Sequence, residues 1–459
     1  MLFISKPDFI VNTIIGRQNI SASQYRWSAF VIKKEIQDGL LCYNTLTCEL
    51  ILVPHSEYNE LFNNTELISK WFLVPINFDE YELAKNAKRI RQTIYRADKS
   101  RKWNCSINKY WILTTTNCNA KCFYCHEKGI PHKHMNKETA VSVVNYIEHL
   151  SKDKQVHIMW YGGEPLINSE AIDIISKGLK EKGIIYTSSM ISNGFEFNQE
   201  MIEMAASQWH LNEVQITIDG EENTYNRTKA YKDCKGCSPF IKVIENIGML
   251  LSQRINVHVR LNIDSYNQEE LFDLSDYLIS KFGSSSYFSI YSAPLLEECL
   301  GTTYKRNQLR RKEVYDAHCR LSKHLDSSGV LLKTELPKAM RSEMRCIAVS
   351  DVRVIFPDGQ LAFCHDYSEG VLSGDIFGNE PLEEERLQYT VCLPETELCN
   401  KCVKYPQCIR FEKCFKNKCN DELIDEWIWY TEQEMIWEYE KATKKSNHQI
   451  HGGYFLETH

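Results

Sequence analysis

A chain of 459 residues is long for one domain, and two or three are expected. Hydrophobic residues at 43% and charged residues at 25% are the ordinary balance of a globular protein with a sizeable core. The formal charge of -7 supplies no basic face for nucleic acid, and no run of about 18 apolar residues suits a membrane span, so neither partner is expected.

The start, "MLFISKPDFIVNTIIGRQN", lacks a cationic stretch followed by an apolar run and a small-residue cleavage site, so a cytoplasmic location is expected. Residues 1–100 carry alternating runs, "WSAFVIKKEI" and "GLLCYNTLTCELILV", and then helical stretches ending in the basic "AKNAKRIRQTIYRADKSRK". Hairpin strands followed by helices predict a small α+β module, with the basic run as a solvated helix face. From "KYWILTTT" to about residue 335, strands at 109–115, 155–161, 185–192, 213–219, 255–263 and 286–292 alternate with helices at 136–150, 168–182, 198–208, 239–252 and 267–282. This alternation predicts a mostly parallel sheet, and six units suit a partial barrel whose ligands sit at the C-terminal strand ends. Residues 340–420 are cysteine-rich, and "DELIDEWIWYTEQEMIWEYEKATKK" reads as an amphipathic helix whose Trp-rich face packs into a core.

Eighteen cysteines without an export signal favour metal ligation over disulfides. Cys118, Cys122 and Cys125 crowd into "NCNAKCFYC", just after the first of the alternating strands. A closed zinc site takes four ligands, and His126 adjoins Cys125 awkwardly for that role. An iron–sulfur cube has four irons, and three thiolates leave the fourth iron open. "CKGC", Cys234 to Cys237, is isolated and is read as spare thiols, a redox or substrate-handling role being the lesser reading.

C-x3-C-x2-C at the end of the first strand of a partial (βα)6 barrel resembles the signature of radical S-adenosylmethionine (SAM) enzymes. "WYGGEP" after the second strand is similar to the family's GGEP motif, and "MISNG" and "QITIDG" resemble its later pocket segments. The resemblance implies an α/β fold: a TIM-like radical SAM core over 105–335, with the α+β module at 1–100 before it. It implies that the open iron binds the amino and carboxylate groups of SAM, and that SAM is cleaved to a 5'-deoxyadenosyl radical that takes hydrogen from substrate. The residues it assigns to SAM are Tyr124 on adenine, Gly162, Gly163, Glu164 and Pro165 on the amino group, Ser192, Asn193, Thr217 and Asp219 in the wall, and Arg260 on the carboxylate.

"CIAVSDVRVIFPDGQLAFC" and "CNKCVKYPQC" resemble the SPASM extension of these enzymes, placed at 340–445 together with the closing helix. The extension implies two auxiliary 4Fe–4S clusters, three in all. Cys346, Cys364 and Cys414 would hold one, with Cys392 a candidate fourth ligand or an open iron in its place. Cys399, Cys402, Cys408 and Cys419 would hold the other. Five residues between Cys408 and Cys414 depart from the family's three. SPASM enzymes mostly modify peptides, and maturases of ribosomally made peptides are the nearest likeness. The resemblance therefore implies a precursor peptide whose leader adds as a strand to the N-terminal module, and an electron donor such as flavodoxin or ferredoxin. Thioether formation between a Cys sulfur and carbon is the expected reaction, since closing that bond releases an electron that auxiliary clusters can accept. Carbon–carbon cross-linking, epimerisation and formylglycine formation of the anaerobic sulfatase maturase kind are the alternatives. For formylglycine formation the base is an Asp directly after the second SPASM cysteine, where "FCHDY" has His365 and then Asp366. A non-catalytic iron–sulfur carrier is the reading of a different class, and it has no use for GGEP or the pocket segments.

Overall fold

A computed structural model describes the chain apart from residues 5–21, 23, 104–106, 126, 233, 235, 296–310, 333–339, 341–351, 365–371, 382–384, 386–387, 390, 393, 409–411, 413–418, 420 and 452–459. It divides into two units, one of Met1–Asp98, Pro337–Arg345 and Thr390–His459, the other of Lys99–Leu336 and Cys346–Tyr389. No described helix is long and apolar enough to cross a membrane.

In the first unit, β1 (Leu2–Phe3), β3 (Val31–Ile36), β4 (Gly39–Asn44) and β5 (Glu49–Pro54) form an antiparallel sheet in the order β1-β5-β4-β3, while β2 (Tyr25–Trp27) pairs with β6 (Leu73–Pro75). The apolar run of β4 and β5 fills both faces, because successive side chains point to opposite sides. Cys42, Ile51 and Val53 meet Leu61, Leu67 and Phe72 on one face. Leu41, Tyr43, Leu50 and Leu52 meet Met435, Trp427 and Ile436 of the closing helix, Asp421–His451, on the other. Residues 403–407 complete the same unit. Thr45 Oγ1 donates to Val403 O (2.5 Å), Arg91 Nη1 to Pro406 O (2.6 Å), and Gln407 Nε2 to Tyr43 OH (2.7 Å).

In the second unit, β7 (Lys109–Thr115), β8 (Gln155–Gly162), β9 (Ile185–Ser192), β10 (Leu211–Thr217), β11 (Asn256–Ile263) and β12 (Phe288–Pro294) pair in consecutive order, all parallel. β12 ends the sheet and does not pair with β7, so the barrel is partial, as expected. On the far side of β7 the sheet continues with β13 (Val352–Ile355), parallel, and then β14 (Gln360–Ala362) and β15 (Leu372–Asp375), antiparallel. Residues 340–445 thus contribute to both units. Alternate strand residues such as Ile112, Ile158, Val214 and Val257 are wholly buried. Some intervening positions are polar and bonded across strands: His157 Nε2 to Ser189 Oγ (2.8 Å) and His258 Nδ1 to Ser289 Oγ (2.6 Å). Two helices come in addition to those expected, Glu222–Lys229 and Arg311–Ser327. The first has almost no apolar periodicity and folds because Tyr225, Thr228 and Lys229 are buried against its surroundings.

Candidate active site

β7 delivers the chain to the thiol loop. Thr115 Oγ1 accepts from Asn117 N (3.0 Å), and Asn117 Oδ1 accepts from Cys118 N (3.0 Å). The segment after the helix Glu222–Lys229 then clamps the loop. Lys121 N donates to Lys229 O (2.8 Å), Lys232 N to Asn119 O (2.8 Å) and Lys232 Nζ to Cys118 O (2.7 Å). Cys118, Cys122 and Cys125 are each half-buried. Burial pushes the Cys118 thiol up to about 12 and the Cys125 thiol up to about 11, and each feels its neighbours' charge. Burial raises Cys122 too, opposed by the Lys229 ammonium. Among the described residues no three Cys, His, Asp or Glu side chains converge on a metal position. Three thiols in one loop, neutral at ordinary pH without a cation, still fit a cluster with three protein ligands, since iron binding takes thiolates and releases their protons. His126 lies outside the described residues.

The backbone of Gly162 and Gly163 rests on that loop. A Cβ at Gly162, whose φ is +114°, would stand 2.2 Å from Thr115 O, and one at Gly163 2.3 Å from Asn117 O, so only glycine fits. Gly163 N donates to Thr115 O (3.1 Å) and Glu164 N to Asn117 O (2.9 Å), while Pro165 O accepts from Thr114 Oγ1 (3.1 Å). Glu164 is wholly buried. Its Oε1 accepts from Ser192 Oγ (2.9 Å) and Leu166 N (3.2 Å), its Oε2 from Asn193 N (2.8 Å). Asn193 Nδ2 in turn reaches Asn119 Oδ1 (2.7 Å) and lies 3.9 Å from Cys118 Sγ. Glu164, Ser192 and Asn193 therefore join the ends of β8 and β9 to the thiol loop.

Burial pushes the Glu164 carboxyl up to about 7, against the pull of its three donors. The folded chain then holds this proton where the unfolded chain, at 4.5, has lost it, so stability falls as pH rises from 4.5 to about 7. The expected contribution is about 3 kcal/mol. Denaturant unfolding of the iron-free chain across this window should show Glu164→Gln with a flatter pH dependence than the parent by about that amount. Equal slopes would exclude the assignment.

Tyr124, the expected adenine neighbour, donates its hydroxyl to Asp219 Oδ2 (2.6 Å) and accepts from Lys229 Nζ (2.8 Å). Lys229 Nζ also pairs with Asp219 Oδ2 at 3.0 Å, both side chains being almost wholly buried. Burial alone would lower the lysine, but Asp219 and Tyr124 outweigh it and hold it well above its usual value. Asp219 Oδ1 is buried with no hydrogen-bond partner among the described residues, a position open to a donor on a bound molecule. Thr217 sits in register with Arg260 at the ends of β10 and β11, and Arg260 Nε donates to Asn262 Oδ1 (2.9 Å). Lys229, Lys232 and Asn119 escaped the sequence reading. A lysine and an asparagine in a polar stretch carry no pattern that distinguishes them from solvated residues.

In the second field, Cys364 is half-buried and packs against the core of Leu113, Tyr161 and Val354. Cys346, Cys414, His365 and Asp366 lie outside the described residues. Cys399 and Cys402 pack on the first unit's core beside Tyr405 and Trp71. Burial raises the Cys402 thiol, the Lys404 backbone N–H opposes it, and the charges of Cys408, Cys419 and Cys399 raise it further. Cys392 lies by Cys408 in the same unit; burial raises its thiol, with Lys88 and Arg96 opposing.

Residues 112–278 match the family described as the radical SAM superfamily. An uncharacterized protein of Methanocaldococcus jannaschii is 29% identical over 182 residues, 39% of this chain and 60% of that protein, so the chain spans less than two thirds of this relative. A probable GTP 3',8-cyclase of Pyrococcus horikoshii is 24% identical over 55% of this chain and 82% of its own length. Native anSMEcpe with bound AdoMet and Cp18Cys peptide superposes with a TM-score of 0.56 at 15% identity, over 73% of this chain and 99% of the other. Streptococcus suis SuiB bound to precursor peptide SuiA gives 0.50 at 12% identity, over 84% and 94%. The thiol loop at the end of the first barrel strand and the glycines resting on it lie within the matched stretch, so residues 112–278 are a radical SAM domain.

Proposed function

We propose that the enzyme modifies a ribosomally made precursor peptide in the cytoplasm, joining a Cys sulfur to carbon. The observation that carries this reading is the linkage from the thiol loop through Asn119 and Asn193 to Glu164. An electron carrier needs neither Glu164 nor the strand-end residues. The chemistry that a 4Fe–4S cluster and AdoMet supply when bound is hydrogen-atom abstraction by a 5'-deoxyadenosyl radical. Cys118, Cys122 and Cys125 would hold that cluster. Glu164, Ser192, Asn193, Thr217, Asp219 and Arg260 would hold AdoMet, with Gly162 and Gly163 allowing backbone approach. Cys346, Cys364 and Cys414, and then Cys399, Cys402, Cys408 and Cys419, would hold two auxiliary clusters. His365, with Asp366 beside it, would take the proton of the substrate thiol. The antiparallel sheet of residues 1–100 would receive the leader as an added strand, and a flavodoxin or ferredoxin would supply electrons. The AdoMet and peptide named with the anSMEcpe and SuiB structures support a peptide substrate.

The similarity to a probable GTP 3',8-cyclase favours one second reading, cyclisation of a nucleotide. The test offers reconstituted enzyme, AdoMet and reductant either the Cys-containing precursor peptide encoded beside the gene or GTP. Loss of a pair of hydrogen atoms from the peptide, together with a cysteine that no longer alkylates, is the expected result. An unchanged peptide mass with GTP consumed would overturn it.

A further inference from the structure

Cys234 and Cys237 belong to neither thiol field and sit between the helices Glu222–Lys229 and Pro239–Ser252. Their sulfurs are 3.3 Å apart, Cys237 exposed and Cys234 half-buried. Between them Gly236 has φ +86°, a conformation glycine adopts without strain, and open space surrounds its Cα. The turn thus presents two thiols face to face where solutes reach them. Burial and the hydrogen bond with Cys237 hold the Cys234 thiol above its usual value, opposed in part by Lys242, whose ammonium lies 3.8 Å over the Phe195 ring. C-x2-C with adjacent sulfurs is the arrangement that exchanges with disulfides.

The same connection holds the thiol loop. Lys232 bonds Asn119 O and Cys118 O, and Lys229 O accepts from Lys121 N. Tyr231 stacks on Phe195 at 4.6 Å and shares a hydrogen bond with Tyr225 at 2.9 Å. On the other side of the pair, Ser238 Oγ accepts from Asn226 Nδ2 (3.3 Å) and Asn226 Oδ1 accepts from Phe240 N (3.1 Å). Lys232 and Ser238, hydrogen-bonded to their surroundings, thus flank the two cysteines. Closing a disulfide brings the sulfurs from 3.3 Å to roughly 2 Å, and Cys234 lies two residues from Lys232.

We propose that Cys234 and Cys237 form a redox dithiol that exchanges with an external disulfide, and that closing it shifts Lys232 and loosens the thiol loop. One thiolate displaces a sulfur of the external disulfide, giving a mixed disulfide and one released thiol. The second thiolate then displaces the remaining sulfur. The pair gives up two electrons and two protons, and the external disulfide leaves as two thiols. The oxidant is a disulfide, carried either by a small molecule or by a cysteine-containing peptide. The effect on the loop rests on reading Cys118, Cys122 and Cys125 as the cluster-binding set; the exchange chemistry does not.

The test equilibrates the full reconstituted chain, without oxygen, against mixtures of reduced and oxidised glutathione, and in a second arm against a disulfide-linked cysteine peptide. Alkylation followed by peptide mass reads the pair, and hydrogen exchange reads the Lys121 and Lys232 amides. Oxidation of the pair by either disulfide is expected, with exchange at those two amides faster by about tenfold, and the faster arm names the source. The Cys234→Ser/Cys237→Ser chain should hold its slow exchange in every mixture. A pair that alkylates fully in all mixtures of both arms overturns the exchange chemistry, and an oxidised pair with unchanged Lys121 and Lys232 amides overturns the coupling. Iron content, measured separately, reports whether Cys118, Cys122 and Cys125 take a cluster at all.

Discussion

With Cys118, Cys122 and Cys125 all replaced by alanine, the enzyme should release no 5'-deoxyadenosine above background, and its iron should fall by about four atoms from a parent content near twelve. Each clamp holds a main-chain group of this loop: Lys121 N on Lys229 O, Lys232 N on Asn119 O, and Lys232 Nζ on Cys118 O. Side-chain truncation leaves all of them in place, and the three thiols are only half-buried, so little packing is lost. The variant should therefore fold, and its inactivity should trace to the missing ligands. Cys399→Ala, in the second field, should keep deoxyadenosine release while losing peptide modification. Deoxyadenosine from the triple variant, or zinc in place of iron in the parent, would refute the assignment.

Lys229→Met should cost about 3–5 kcal/mol of stability, among the largest effects of any single change in the second unit. The ammonium sits 3.0 Å from Asp219 Oδ2 with both side chains almost fully out of solvent. Without it the Asp219 carboxylate keeps the Tyr124 hydroxyl at Oδ2 and nothing at Oδ1 among the described residues, an uncompensated buried charge. Adding Asp219→Leu should recover most of the loss, because removing both members of a buried pair avoids stranding either charge. Urea unfolding of the parent, single and double variants checks this. A single-variant loss below about 1 kcal/mol would mean that water reaches the pair, as at exposed ion pairs.

The barrel was legible because its signals are local. Alternation in "KYWILTTT" and the 3.6-residue pattern of the intervening helices placed β7 over Lys109–Thr115 and the next helix over Lys137–Leu150, within a residue of expectation. The motifs fall at strand ends for the same reason, with Gly162 closing β8, Asn193 following β9 and Asp219 following β10. Lys229 was not legible. A lysine in a polar helix reads as solvated, and only its approach to Asp219, ten residues earlier, buries it. The place of Tyr124 before Cys125 likewise says nothing of the partners of its hydroxyl, Asp219 and Lys229. Nor does periodicity show that Gln407 bonds Tyr43, or that Met435 packs under Leu41, because those partners are hundreds of residues apart. Local pattern carries no information about such pairings.

The first unit's sheet is finished by the last part of the chain, and biosynthesis runs in the opposite sense. When residues 1–98 leave the ribosome, Leu41, Tyr43 and Leu50 lack the cover of Trp427 and Met435, which are made more than 300 residues later. At roughly 5–20 residues per second that interval is on the order of 15–60 s. The barrel strands emerge meanwhile and pair in the order of their synthesis, each with the one before it. The beginning of the chain is thus the last part to become a finished structure. A premature stop before Trp427 would leave that face of the N-terminal sheet without the closing helix.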